Sequence, residues 1–233
     1  SENNPYLIAN RTQLVELSQL TLTYNYSGYY FALENNIDMR VAGAYSNFNP
    51  IGYYSDPQNN RAFNGVFDGK GCKIQYLYID SVVDYVGLFS MLGKDASVKN
   101  LEIDENSQIK TTANHVGSIV GRNMSENGAI DRCVSYAKVQ GNTNVGGIVG
   151  YTYANTTITN CLFYGTLSGN GNVYGVIGIR NDTVSGVNTT NSWYIVDLEQ
   201  DYQTNGYNST LFVDANGEVE VIINSQEDNY NFI

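Results

Sequence analysis

Apolar residues in the middle of the chain recur in short runs with a fixed order of valine, isoleucine and glycine. The sequence Val-Gly-Ser-Ile-Val-Gly begins at Val116, Val-Gly-Gly-Ile-Val-Gly begins at Val145, and Val-Tyr-Gly-Val-Ile-Gly begins at Val173. These starting points lie 29 and 28 residues apart, and a looser copy begins at Val86. Self-similarity with a period of about 20 to 50 residues is typical of a solenoid, a propeller or another repeat array.

Each repeat has the pattern of one coil of a parallel β-helix. It contains three short runs of strand-forming residues separated by Gly, Asn, Ser or Thr. The apolar spacing of an amphipathic helix is absent from the repeats, and a four-stranded propeller blade needs about 40 residues. Stacked coils bury the apolar side that a single coil leaves exposed, so we predict an all-β, right-handed parallel β-helix (solenoid) of roughly six coils.

The two ends of the chain differ from the repeats. Asn10 and Thr12 are capable N-caps, and they precede four apolar residues at helical spacing: Leu14, Val15, Leu17 and Leu20. We predict a short N-terminal capping helix that covers the apolar end of the stack, with a partner-binding helix as the alternative. Near the other end, the dipeptide Asn216-Gly217 predicts a C-terminal hairpin that closes the last coil.

The repeats and the two ends together predict a single β-helix domain over residues 1–233. Residues 1–52 would form the N-terminal cap and the first coil, and residues 53–196 would form the repeat coils. Residues 197–233 would form the closing segment. A stacked array favours one domain because each coil depends on its neighbours for a core.

Four segments, in this order, resemble bacterial surface proteins that carry GLUG motifs. They are YYFALENNIDM at 29–39, NPIG at 49–52, FNGVFDGKGCKI at 63–74 and the VGGIVG-type repeats. The resemblance implies a secreted or surface-anchored bacterial protein described as adhesin-like. GLUG motifs also occur as accessory repeats in large immunoglobulin A proteases. The family has no agreed catalytic residues, and none is carried over to this chain.

The charge of the chain limits its partners. The formal net charge is -11, with 12 Lys and Arg against 23 Asp and Glu. Nucleic acids and anionic membranes bind basic patches, so we expect neither as a partner. No apolar run approaches the length of about 18 residues that a membrane span needs, and no signal peptide is visible. We expect a mature or trimmed form that is extracellular or at the bacterial cell surface, without membrane insertion, and a monomer.

Histidine-dependent chemistry has little basis in this sequence. His115 is the only histidine, whereas catalytic zinc needs about three protein ligands. It occupies the position that Asn144 and Asn172 hold in later repeats, so we interpret it as a turn residue. No Asp-rich calcium loop is present. The sequence predicts no metal and no other cofactor.

Carboxylates are the remaining candidates for catalysis, because many parallel β-helix proteins cleave polysaccharides. Glu102 and Asp104 share one face of a strand, at a spacing of roughly 6.5 Å that a glycosidase would tolerate. They alternate with apolar residues, so we interpret both as the solvent-facing side of a half-buried strand. Asp68 is interpreted as a turn residue. A polysaccharide-active enzyme, either a glycoside hydrolase or a lyase, stays as the alternative function.

Two cysteines and two asparagines recur at equivalent positions. Cys133 and Cys161 would stack with their Cα atoms about 4.8 Å apart, which permits a disulfide, but parallel side chains would strain it. We therefore predict two buried thiols. Asn100 and Asn160 are equivalent as well, although Arg132 interrupts an amide ladder between them.

Tyrosine is the most suggestive component of the composition, with 20 residues against one tryptophan. Its flat, amphipathic ring suits interfaces, although strand propensity also enriches it. We predict that tyrosines after the repeat motif and after the NPIG segment bind a ligand: Tyr151, Tyr153, Tyr53 and Tyr54. The predicted function is a non-catalytic surface or secreted adhesion module that presents a rigid face to a host protein or glycan.

Overall fold

The chain forms a stacked β-solenoid with one short helix in the part that the structure describes. This computed structural model describes residues 1–56, 59–153, 156–180, 189, 192–197, 210–214 and 219–222. The predicted fold class, an all-β parallel β-helix with a capping helix, is confirmed.

The secondary structure consists of short strands that follow one another with few residues between them. In chain order the elements are β1 (Tyr6–Ile8), α1 (Arg11–Leu20), β2 (Tyr30–Leu33), β3 (Ile37–Asp38), β4 (Tyr53–Asp56), β5 (Asn59–Arg61), β6 (Val66–Asp68), β7 (Lys73–Gln75), β8 (Tyr78–Ser81), β9 (Phe89–Leu92), β10 (Ser97–Lys99), β11 (Glu102–Ile103), β12 (Gln108–Thr111), β13 (Val120–Asn123), β14 (Ala129–Asp131), β15 (Val134–Ser135), β16 (Lys138–Gln140), β17 (Val145–Gly146), β18 (Val149–Thr152), β19 (Thr157–Thr159), β20 (Leu162–Phe163), β21 (Thr166–Ser168), β22 (Val173–Tyr174), β23 (Ile177–Arg180), β24 (Trp193–Asp197), β25 (Thr210–Asp214) and β26 (Val219–Ile222).

Four parallel sheets run along the stack, and each coil adds one strand to each sheet. The strand orders of their parallel parts are β1-β2-β6-β10-β14-β19, β3-β7-β11-β15-β20-β24, β8-β12-β16-β21 and β9-β13-β18-β23, and the second sheet continues beyond β24 into the antiparallel strands β25 and β26. A coil therefore has four main sides rather than the predicted three. The repeat motif accounts for the difference, because its first valine pairs at a corner and its last residues form a separate strand.

Complete coils begin at β6, β10, β14 and β19 within the described residues, so the predicted number of roughly six is wrong. The turn before β6 is incomplete. Its later part touches the next coil through the isolated bridges Asn47–Tyr78 and Ile51–Phe89, and the antiparallel hairpin β4–β5 follows Ile51. After the last complete coil, β24 is the one described strand that extends a parallel sheet.

The core consists of apolar columns that follow the sequence period. Ile119, Ile148 and Val176 are buried, and they come from consecutive coils. The N–H of Ile119 donates to the carbonyl oxygen of Ile148 at 3.1 Å, and the N–H of Ile148 donates to that of Val176 at 3.0 Å. The predicted stacking of these three residues is confirmed.

The helix α1 covers the N-terminal end of the core, as predicted. The side chain of Asn10 accepts a hydrogen bond from the N–H of Gln13 at 3.1 Å, which caps the first turn. Leu14 and Leu17 are buried in the same core cluster as the coils. Near the other end, β24, β25 and β26 pair in antiparallel fashion. The predicted turn dipeptide Asn216-Gly217 lies outside the described residues.

Asp104 is buried, so its prediction as a solvent-facing residue is wrong. Its side chain is only 2% exposed because β11 ends at Ile103 and the next residue turns into a corner. There Oδ1 accepts hydrogen bonds from the N–H of Tyr76 at 2.9 Å and from Ser107 Oγ at 2.5 Å. Glu102 is half-buried and forms an ion pair of 2.7 Å with Lys73.

Asp68 forms a turn, as predicted, and it begins a polar column along a different corner, between β6 and β7 and the equivalent strands of the next coils. Its Oδ1 accepts from the N–H of Lys70 and from Asn100 Nδ2, both at 2.9 Å. Arg132 Nε then donates to Asn100 Oδ1 at 2.7 Å. Arg132 therefore joins the column, because the guanidinium supplies the donor that an amide would have supplied.

The cysteines are free thiols, which confirms the prediction for the equivalent pair. Cys133 and Cys161 are buried, and Cys72 is half-buried against the core. The Sγ atom of Cys133 lies 3.7 Å from the carbonyl oxygen of Val98, and that of Cys161 lies 3.7 Å from that of Ile130. They fill space in the core as small apolar side chains do.

Candidate functional site

The last glycine of each repeat motif lies against the corner residue of the preceding coil. A Cβ atom on Gly150 would stand 2.4 Å from the carbonyl carbon of His115, which is too close for any side chain. The same approach joins Gly121 to Tyr85 at 2.2 Å and Gly178 to Asn144 at 2.5 Å. The motif therefore ends in glycine because two coils meet there backbone to backbone.

The corner residues have left-handed backbone conformations. Their φ angles are 62° for Tyr85, 63° for His115 and 58° for Asn144. His and Asn adopt this region more readily than most residues, whereas it is unusual for tyrosine. The prediction that His115 is a turn residue at the position of Asn144 is confirmed.

This contact places the residue after each motif glycine beside the corner side chain of the preceding coil. Arg122 follows Gly121, and its Cζ atom lies 5.1 Å from the ring centroid of Tyr85. Tyr151 follows Gly150, and its ring meets that of His115 edge-on at 5.3 Å. We call these four residues, Tyr85, His115, Arg122 and Tyr151, the Arg122 cluster.

The members of the Arg122 cluster also contact one another between coils. The rings of Tyr85 and His115 stack at 4.8 Å with an interplanar angle of 11°. The Cζ atom of Arg122 lies 5.6 Å from the ring centroid of Tyr151, so the guanidinium has a tyrosine on two sides. All four side chains are half-buried. Cation–π contacts of this kind are worth about 0.5 to 2 kcal/mol each.

Arg122 is a cation without an ionic partner in the described part of the chain. Its Nε atom is buried and has no hydrogen-bond partner, and no ion pair involves this side chain. By contrast, seven other Lys and Arg side chains among the described residues pair with carboxylates. Nε itself is shielded from solvent, whereas the two Nη groups are not among the buried unpaired atoms of the described residues, so they are the donors that an acceptor from outside could reach.

The surroundings of His115 favour its neutral form. Burial lowers its pKa below the ordinary value, and the nearby Arg122 lowers that pKa further, whereas Asp84 raises it. Its Nδ1 atom lies 3.1 Å from Asn144 Nδ2. The amide can only donate at this contact, so Nδ1 can accept the hydrogen bond when the ring is neutral but not when the ring is protonated. Asn172 Nδ2 continues this column by donating to Asn144 Oδ1 at 3.0 Å.

We expect stability to fall as the pH decreases below about 6.5, the ordinary pKa of histidine. Because the folded-state pKa of His115 is lowered, the unfolded chain binds more protons in this range, and protonation favours unfolding. His115→Asn keeps a residue that tolerates this backbone conformation and restores an amide to the column, and it cannot titrate. Urea unfolding at pH 7.5 and at pH 5.5 should show a smaller loss of free energy in the variant. An equal loss of unfolding free energy in the wild type and in His115→Asn would show that His115 is not the source of this pH dependence.

The structure places the four predicted binding tyrosines in different surroundings. Tyr151 belongs to the Arg122 cluster, whereas Tyr153 lies beyond the end of β18, is 38% exposed and has no ring contact with the cluster. Tyr53 is 43% exposed at the start of the hairpin β4–β5 and also lacks such a contact. The side chain of Tyr54 is outside the described residues. The binding role of all four stays a prediction.

Another group of tyrosines meets at the N-terminal cap. Tyr6 stacks on Tyr29 with ring centroids 5.8 Å apart, and Tyr26 meets Tyr29 edge-on at 5.6 Å. These rings line a groove of about 310 Å³ beside α1, together with Gln13 and Glu16. The early tyrosine-rich segment therefore contributes to the end cap rather than to the repeat coils.

Sequence reasoning found Tyr151 but missed its partners Tyr85 and Arg122. They can be identified only by comparing positions in two consecutive repeats. The residue before the first valine of one motif pairs with the residue after the last glycine of the next motif. That rule joins Tyr85 to Arg122 and His115 to Tyr151, but it is visible only once the coils are known to stack at this corner.

Comparisons with known proteins agree with this repeat structure. The family described as "The GLUG motif" matches residues 141–163, which include the motif that begins at Val145 and strands β18 to β20. Halomucin from Haloquadratum walsbyi is 35% identical over 114 residues, which is 48% of this chain and 1% of halomucin. A putative Gly-rich membrane protein from Evansella cellulosilytica is 29% identical over 133 residues, which is 56% of this chain and 14% of that protein.

The chain thus spans only a small part of these relatives. No solved structure matches it significantly. Within the described residues, no helix combines the length and the apolar character needed to cross a membrane. The matched motif contains the same valine, glycine and isoleucine positions that form the coil corner, so this chain carries a GLUG motif, as its resemblance to GLUG-motif proteins implied.

Proposed function

We propose that this chain is a non-catalytic binding module that acts at the cell surface or after secretion. It presents the face with the Arg122 cluster to a host protein or glycan. The observation that carries this proposal is the cluster itself, in which aromatic rings and a cation are held half-buried between stacked coils. Aromatic side chains fixed by a rigid scaffold lose little entropy on binding.

Two relatives support a location at the surface. One is named halomucin and the other is named a putative Gly-rich membrane protein. Repeated copies of such a module on one surface would strengthen binding that is modest for a single contact. The proposal therefore concerns a module within a larger surface-associated protein or assembly.

The surroundings of the carboxylates favour binding over catalysis. Asp104 and Asp68 accept hydrogen bonds that form corners, and Glu102 pairs with Lys73. A glycosidase needs a proton donor and a second carboxylate that both face the substrate. These three carboxylates are instead engaged in holding the coils together.

The double variant Tyr151→Ala, Tyr153→Ala tests the binding face. We expect it to stay folded and to lose about tenfold in affinity for glycans or host cells, which corresponds to about 1.4 kcal/mol. Binding is measured on a glycan array and with cultured cells, and circular dichroism checks the fold. Tyr164→Ala is the matched control, because Tyr164 is exposed and packs on Tyr136 rather than in the cluster.

Normal binding by the double variant would place the binding face elsewhere on the solenoid. A reducing-sugar assay with pectin and hyaluronan tests the enzymatic alternative, and we expect no turnover. Reproducible cleavage that Glu102→Gln or Asp104→Asn abolishes would replace the proposal with a polysaccharide-active enzyme.

A further inference from the structure

We propose that the Arg122 cluster binds the carboxylate of an acidic sugar. This inference rests on the proposed function and names the class of ligand that the face recognises. The site would take a single carboxylated pyranose, such as a sialic acid or a uronic acid. The guanidinium of Arg122 would bind the carboxylate, and the tyrosines beside it would contact the sugar ring.

The unpaired state of Arg122 is the first reason. A half-buried guanidinium whose donors lack acceptors loses part of its hydration without full compensation, and the flanking rings offset only some of that loss. Its planar fork matches a carboxylate in a two-point contact, which is among the strong hydrogen-bonded pairs in proteins. The chain has a net charge of -11, so carboxylates were abundant as internal partners, yet none occupies this position among the described residues.

The rings beside Arg122 are the second reason, because they favour a sugar over a simple acid. Tyr85 and Tyr151 lie on two sides of the guanidinium, with their centroids 6.3 Å apart at an angle of 71°. A pyranose presents an apolar C–H face as well as hydroxyl groups, and tyrosine offers a flat apolar ring with a polar tip. A carboxylate bound to Arg122 would hold the attached ring next to one of these faces.

The charge around the cluster limits how acidic the ligand is. Asp84 lies near His115, and its Oδ1 accepts from the N–H of Asn114 at 2.8 Å, so a negative charge already stands beside the cluster. Burial lowers the pKa of His115 and Arg122 lowers that pKa further, which disfavours a second positive charge in the cluster. A polyanion would be repelled both by Asp84 and by the whole chain. One carboxylate on an otherwise neutral sugar fits this balance.

The test compares ligands that differ in the carboxylate. Wild-type protein is titrated with sialyllactose, with lactose and with a hyaluronan disaccharide, which carries one carboxylate, and binding is followed by calorimetry and by the ¹H–¹⁵N resonance of Arg122 Nε. We expect at least one of the two acidic sugars to bind about tenfold more tightly than lactose and to shift that resonance. The two acidic probes distinguish a sialic acid from a uronic acid as the source of the carboxylate.

Variants assign the preference to Arg122. Arg122→Gln should lower the affinity for the acidic sugar to that for lactose, and Arg122→Lys should retain part of the preference because it keeps the charge without the fork. Lys138→Gln is the matched control, since it removes a positive charge from an exposed position on β16. It should leave the preference unchanged. If Arg122→Gln fails to fold, the wild-type comparison of sialyllactose with its methyl ester decides the question.

The outcomes separate this inference from the proposed function. Equal binding of sialyllactose, its methyl ester and lactose, with an unmoved Arg122 resonance, would overturn the acidic-sugar site and leave a neutral-glycan module. Binding of a glutamate-rich peptide through Arg122, without binding of either sugar, would overturn it in favour of a protein ligand. An absence of binding to any glycan, host protein or cell would remove the proposed function as well.

Discussion

Ile148→Asp should destabilise the folded protein by about 3 to 5 kcal/mol, the usual cost of an uncompensated buried charge. Ile148 is fully buried, and it lies between Ile119 and Val176 in the apolar column of three consecutive coils. Both stacked neighbours, Ile119 and Val176, are apolar and buried, so neither could pair with an ionised carboxylate. Total stabilities are about 5 to 15 kcal/mol, so the loss would be a large share of the whole. Thermal and urea unfolding followed by circular dichroism measure it.

Two control variants separate the charge from the position. Val82→Asp introduces the same side chain at a site that is 77% exposed, and its effect should be small. Ile148→Val removes one methylene from the core and should cost about 0.5 to 1.5 kcal/mol. If Ile148→Asp melted at the wild-type temperature, Ile148 would face solvent and the assignment of the core column would be wrong.

The stacking of the coils was predictable because it leaves a period in the sequence. A residue that faces the core in one coil has neighbours from the coils above and below, so all three positions need apolar side chains. Ile119, Ile148 and Val176 therefore recur at nearly constant spacing, and the structure stacks them. The capping helix was predictable for a local reason, since Asn10 and the spacing of the leucines act within one segment.

The corners were harder to predict because they depend on contacts between coils. Asp104 alternates with apolar residues as a solvent-facing strand residue would, yet the strand ends at Ile103 and the carboxylate accepts hydrogen bonds from three donors at its corner. The number of complete coils was overestimated for a similar reason. The segment between β3 and β6 has the length of a repeat but includes a separate hairpin.

The Arg122 cluster could not be predicted from any one repeat, because its members come from different coils. Tyr85 and Arg122 lie far apart along the chain, and neither position is conspicuous within its own repeat. Their contact arises because Gly121 lets one coil approach the corner of the coil before it. Composition identified tyrosine as a candidate for binding, but only the stacking of coils shows that Tyr85 and Tyr151 both contact the guanidinium of Arg122.

Gly150→Ala should destabilise the protein by more than about 3 kcal/mol, above the usual range for overpacking. The added Cβ atom would stand 2.4 Å from the carbonyl carbon of His115 and 2.5 Å from the amide nitrogen of Val116. Both are backbone atoms at the corner of the preceding coil, so neither can move aside as a flexible side chain would. The two coils would have to separate, which would also disturb the packing of Tyr151 on His115. Urea unfolding measures the loss.

Gly71→Ala isolates the effect of the close contact from that of adding a methyl group to a glycine. Gly71 has a φ angle of 75°, and a Cβ atom there would meet no other atom within 4 Å. Its replacement should cost only the strain of a left-handed residue, about 1 to 2 kcal/mol. From most to least stable, the expected order is therefore wild type, Gly71→Ala and Gly150→Ala. The reverse order of the two variants would mean that the motif glycine serves a local backbone conformation and that the coils do not meet at this corner.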